Sequence, residues 1–150
     1  MYYKEYFNRY MSSFEFTMDN QYDYERNVEL LTEEGYELNI YAKEFLMSFG
    51  GIIIKGTGKR SKNTVQIQFD PIVFASGEYD RMDVYNQVTK DVLFPVGGLY
   101  DYTLFIGKKG QYYIADWKNL YLCGNTMDEF FENIFNDDVE LIELYSNDDL

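Results

Sequence analysis

The chain contains no histidine. That removes the commonest general base, the commonest metal ligand and the one side chain whose unperturbed pKa lies near neutrality. It contains a single cysteine, Cys123, which excludes an intramolecular disulfide and a multi-cysteine zinc site. A nucleophilic role for Cys123 would need a base, and no histidine exists to serve; a buried structural thiol is the simpler reading. No apolar run approaches the length of a membrane span, the longest being pieces such as Ile52-Ile53-Ile54. No apolar stretch of the signal-peptide kind follows the opening Met-Tyr-Tyr-Lys-Glu-Tyr. A reduced, cytoplasmic protein is expected, with no membrane partner.

Bases are scarce too. There are 13 Lys and Arg against 26 Asp and Glu, and none follows Lys118. Nine acids (Asp128, Glu129, Glu132, Asp137, Asp138, Glu140, Glu143, Asp148 and Asp149) lie between Asn119 and Leu150, so this stretch holds −9 of the net −13. One-signed charge so concentrated repels nucleic acid and anionic membrane, and it speeds encounter with basic proteins. The same surplus also serves plain solubility. What the chain has in abundance is aromatic: 19% of its 150 residues, with 16 Tyr and 12 Phe. That many rings imply an aromatic-rich core and some exposed Tyr, a common interface residue.

One domain is expected at this length. Tyr3, Phe7, Tyr10, Met11 and Phe14 share one helical face, predicting an N-terminal helix over about 2–14. The core is expected over about 22–136, with an acidic tail over 137–150. Tyr24, Val28 and Leu31 form a second stripe stopped by Gly35. After Asn39 a third helix buries Tyr41, Phe45, Leu46 and Phe49 and ends at Gly50. Gly51–Lys55 and the alternating Val65, Ile67, Phe69 predict a hairpin with a basic tip of Lys59, Arg60 and Lys62, read as a solvated loop. Pro71 closes its second strand.

A helix over 78–89 turns Met82 and Tyr85 inward. Leu93–Val96 reads as a short strand, on an edge or ending early because of Pro95. Strands at Tyr102–Ile106, Gln111–Ala115 and Leu120–Cys123 follow. Thr126-Met127-Asp128-Glu129 is a capping box opening a helix with Met127, Phe130, Phe131, Ile134 and Phe135 inward. The tail reads either as a strand around Val139–Ile142 or as a partly disordered acidic arm. The fold class is α+β: a mainly antiparallel sheet with helices packed against it.

Five segments occur in a recognisable order. They are Phe45-Leu46-Met47-Ser48-Phe49-Gly50-Gly51, Phe69-Asp70-Pro71, Leu93-Phe94-Pro95-Val96-Gly97, Thr103–Ile106 with Gly110–Tyr113, and Leu122-Cys123-Gly124-Asn125-Thr126. Together, from about Val28 to Phe135, they resemble the SUKH superfamily of Smi/Knr-like proteins, specifically its third subfamily of bacterial immunity proteins. The resemblance implies a small α+β domain that binds and neutralises a polymorphic toxin, often a nuclease, made by the same or a sibling bacterium. It brings no cofactor, no metal and no catalytic residues, so no enzyme is expected. The acidic tail after Phe135 and the aromatic excess depart from the family.

Two functions follow. One is a stoichiometric inhibitor of a basic, nuclease-type toxin domain, its acids mimicking phosphate charge. The alternative is an intracellular Smi/Knr-like scaffold or regulator with an endogenous partner. Candidate contacts are Glu78, Asp80 and Asp83 on the middle helix, Tyr100 and Asp101 at a strand start, Asp116 and Trp117 at a turn, and the tail acids Asp137, Asp138 and Glu140. Monomer and homodimer both fit such a surface.

Overall fold

The computed structural model describes residues 2–62, 64–136 and 141–146. Period-two patterning wins early in the chain. Helix α1 (Tyr2–Phe7) ends after six residues and strand β1 (Met11–Met18) follows. The helix expected through Phe14 therefore stops at Phe7. Ser12 and Ser13 disfavour helix, while the half-buried Phe14 and Phe16 alternate with exposed Ser13, Glu15 and Thr17. Pairing supplies the rest: β1 runs antiparallel to β2 (Ile52–Gly58), from Met11 opposite Gly58 to Met18 opposite Ile52. The core also begins earlier than position 22, since Phe7, Tyr10 and Met11 are buried.

Helices α2 (Tyr24–Glu34) and α3 (Ile40–Phe49) form where the apolar stripes and the Gly35 and Gly50 stops predict. Asp23 accepts from the Arg26 amide at 3.2 Å and Asn39 from the Ala42 amide at 2.8 Å. Gly35, at φ 124°, stops α2 in a conformation that other residues resist. In α3 the buried set is Ala42, Phe45, Leu46 and Phe49. Tyr41, expected inward, is exposed, because this i, i+3, i+4, i+7 stripe begins one residue later.

Strand β3 (Thr64–Gln68) closes the expected hairpin with Ile54 opposite Ile67. Its basic tip is tied down: Arg60 ion-pairs with Glu132 and its amide donates to Asn136 Oδ1 at 2.7 Å. Pro71 opens a five-residue helix, α4 (Pro71–Ala75), capped by Asp70. A 3-10 turn (Tyr79–Arg81) leads into α5 (Met82–Thr89), which buries Met82 and Tyr85.

Strand β4 (Leu93–Leu99) is buried along its whole length and lies mid-sheet, rather than on an edge. Pro95 is tolerated because a register shift between Pro95 and Gly97 interrupts the ladder, and because β3 meets β4 at Gln68↔Gly98 alone. Few ladder bonds remain for its missing amide to break. Strands β5 (Tyr102–Gly107), β6 (Tyr112–Ala115) and β7 (Asn119–Gly124) follow as expected. Strand β8 (Ile142–Ser146) pairs antiparallel with β7, so part of the tail is strand. Val139 and the neighbouring acids lie outside the described residues.

Spatial order in this eight-stranded antiparallel sheet is sequence order. Helix α6 (Met127–Phe135) returns across it with Phe130, Phe131, Ile134 and Phe135 buried. The Phe131 ring lies 5.3 Å from Phe7 and 6.2 Å from Phe69, centroid to centroid. Thr126 Oγ1 accepts from the Glu129 amide at 3.1 Å. The return bond shifts by one residue, from the Asn125 amide to Glu129 Oε2 at 2.7 Å. Asn136, 1% exposed, ends the helix and donates to the Tyr10 carbonyl at 3.3 Å. This is one α+β domain with helices packed against one sheet.

Candidate partner-binding surface

The β4–β5 turn (Tyr100, Asp101) and the β6–β7 turn (Asp116–Lys118) lie at one end of the sheet, because Thr103 pairs with Ala115 between them. Below them, Glu78, Asp101 and Asp116 converge on a small cleft of about 100 Å³ under α5. Two of these three carboxylates have internal work. Glu78 accepts from Arg81 Nε at 3.1 Å. Asp116 Oδ1 accepts from the Lys118 amide at 2.9 Å and the Asn119 amide at 2.6 Å, so it builds the turn that presents Trp117. The Asp116 carbonyl accepts from the Tyr85 hydroxyl at 2.5 Å. Burial pushes the Tyr85 phenol up, with Arg81 opposing.

Asp80, Asp83 and Asp101 are exposed, and none of their carboxylates makes a hydrogen bond or ion pair to the described residues. Trp117 is 50% exposed, with Lys118 Nζ 5.0 Å from its ring centroid. Tyr100 is 68% exposed. The fold thus gathers Tyr100, Asp101, Asp116 and Trp117 at one end, with Glu78 in the cleft below. Asp80 and Asp83 lie further along the 3-10 turn and α5. Asp137, Asp138 and Glu140 lie outside the described residues.

Three other acids, Asp128, Glu129 and Glu132, line an open groove of about 670 Å³ between α6 and the β7–β8 pair, with Arg9 and the exposed Ile142. Each is engaged internally: Asp128 accepts from the Tyr10 hydroxyl, Glu129 from the Asn125 amide, and Glu132 pairs with Arg60. Sequence reasoning missed Tyr102 and Tyr121, which meet edge to face at 6.3 Å near the Tyr100 turn. Only strand register brings them together, and no local pattern announces it.

Cys123 is fully buried, and burial pushes its thiol up, away from the thiolate a nucleophile needs. Among the described residues no three acids or thiols gather as a metal would require, and no helix is long and apolar enough to cross a membrane. What these residues present is rings and carboxylates on turns backed by a hydrogen-bonded sheet. The chain belongs to the SUKH-3 immunity protein family, whose profile matches residues 15–137. The match begins inside β1, earlier than the Val28 at which the resemblance becomes legible by eye. No curated protein and no solved structure matches the chain. Membership implies a toxin-neutralising role and a cognate toxin as partner, in a family that is not typically enzymatic.

Proposed function

We propose that this chain acts in the cytoplasm by stoichiometric binding to a basic, nuclease-type toxin domain, covering the surface with which that domain holds nucleic acid. A nuclease must grip a polyanion with Lys and Arg. A surface of fixed carboxylates competes for those same cations. The observation that carries the reading is that Asp101, exposed and making no bond to the described residues, shares one end of the sheet with two exposed aromatic anchors, Tyr100 and Trp117, while Asp80 and Asp83 are exposed further along the 3-10 turn and α5. Aromatic anchors supply desolvated contact energy, while surrounding acids set partner choice and approach. Glu78 and Asp116 contribute through the cleft, and Asp137, Asp138 and Glu140 add to the net negative charge that draws a basic partner.

The test is calorimetric titration against the C-terminal toxin domain encoded beside this chain's gene, with a nuclease assay in parallel. The expected result is a one-to-one complex that abolishes cleavage, weakened about a hundredfold when Asp80, Asp83 and Asp101 are all changed to Lys. Full binding by that triple variant would remove the acidic surface from the mechanism. Absence of any toxin partner would favour an endogenous partner of the kind a Smi/Knr-like regulator binds.

A further inference from the structure

At the same end of the sheet, on the face α6 covers, lies an open groove of about 640 Å³. Leu99, Ile114 and Leu141 contribute its apolar lining, and Tyr100, Tyr102 and Tyr121 add three rings. The groove exists because the sheet is nearly split there. β3 and β4 share only the Gln68↔Gly98 pair. The next antiparallel pair, Ile67 with Leu99, does not form. The Tyr100 hydroxyl reaches across and donates to the Thr64 carbonyl at 3.3 Å.

Tyr100 is a costly residue at this place. Its φ is 52°, in the left-handed region where bulky residues are outliers. Gly, Asn or Asp makes such a turn with less strain. The ring recovers little by packing, being 68% exposed. Backbone strain of this kind concentrates at ligand clamps and other functional sites.

The electrostatics name the partner's chemistry. Tyr102 and Tyr121 have phenols raised first by burial; Asp116 and Asp101 then add at Tyr102, and Tyr102 itself, Glu143 and Asp116 at Tyr121. The rings therefore sit in a field of carboxylates. Glu143 lies opposite Tyr121 in the β7–β8 register. The nearby bases are Lys62, exposed at the β2–β3 tip, and Lys118, stacked on Trp117. Tyrosine faces ringed by acid attract a planar cation, and guanidinium stacks on them better than ammonium does.

We propose that this groove receives an arginine-bearing loop of the toxin domain, with the guanidinium stacked on Tyr102 and Tyr121, Tyr100 closing over the loop, and Asp101 and Glu143 balancing its charge. This rests on the reading of a basic toxin as partner. A second copy of the chain is the poorer occupant, because it would bring the same Asp101 and Glu143 against themselves.

The experiment titrates the neighbouring toxin domain with the wild type, Tyr102→Leu/Tyr121→Leu, Tyr102→Phe/Tyr121→Phe and Tyr100→Gly. The Phe pair keeps the rings, and Gly suits the positive φ, so neither threatens the fold; urea melts check the Leu pair. The Leu pair is expected to bind about tenfold or more weaker, with the Phe pair within about threefold of wild type and Tyr100→Gly between them. Wild-type affinity in the Leu pair overturns the groove while leaving toxin binding intact. Equal loss in the Phe and Leu pairs overturns it as well, since the hydroxyls rather than the ring faces would then carry the contact. Dimerisation of the wild type in sedimentation, lost in the Leu pair, reassigns the groove to a second copy. Failure of the wild type to bind any toxin domain removes the underlying reading and this proposal with it.

Discussion

At the scale of single residues, Asp70 shows how burial and hydrogen bonding compete. It is 6% exposed, and its Oδ1 accepts both from the Ile72 amide at 3.1 Å and from Asn27 Nδ2 at 3.0 Å. Those bonds favour the carboxylate, yet burial dominates, aided by Asp19, and the pKa is raised. A raised acid holds its proton more tightly folded than unfolded. Its ionisation therefore costs stability, which falls as pH rises from the unfolded carboxylate range through the folded pKa and stays lost at neutrality. Asp70→Asn keeps the accepting oxygen and deletes the charge. Urea melts should show this variant more stable than wild type at neutral pH, with the gap closing in acid. A gap independent of pH would mean that the charge is not the cause. Sequence reading placed Asp70 in a Phe-Asp-Pro segment but could not see Asn27, 43 positions away. It caught exposed acids such as Asp101 by composition, and missed Tyr102 with Tyr121 because two strands must register before those rings meet.

At the scale of elements, caps were the most legible signals. Asn39, Gly35 and Thr126 all act as their local spacing predicts. Thr126→Ala should cost about 1 kcal/mol in denaturant unfolding, with Thr126→Ser nearly neutral; equal loss in both would place the effect in the threonine methyl instead of the cap. The failures are physical too. The first fourteen residues satisfy a helical period by coincidence of aromatic spacing, and pairing with β2 decides otherwise. Helix α4 is too short, at five residues, to show a period at all. Pro95 argues for an edge only where a neighbouring strand needs its amide; at β4 the β3 side pairs at Gly98 alone, and the β5 ladder shifts register between Pro95 and Gly97.

At the scale of the whole molecule, a net charge of −13 acts at a distance before any contact forms. Raising salt from about 0.01 M to about 0.15 M shortens the screening length from about 30 Å to about 8 Å. Stopped-flow association with the toxin domain should slow by about tenfold or more over that range, with dissociation changing less. A salt-independent on-rate would leave the charge to solubility alone. The order of strands has a different consequence, in time rather than energy. Neighbours in sequence are neighbours in the sheet, so the pairs joined by short turns, β2–β3 and β4 through β7, can zip soon after leaving the ribosome at little loop-closure cost. Other bonds reach much further, among them those that join Tyr10 to Asp128 and to Asn136 across 118 and 126 positions. At about 5–20 residues per second, synthesis takes roughly 6–25 s to cover that distance. Through that interval the first strand has at most its β2 partner and no clamp, and helix α6 and the Asn136 that ends it latch the first strand to be laid.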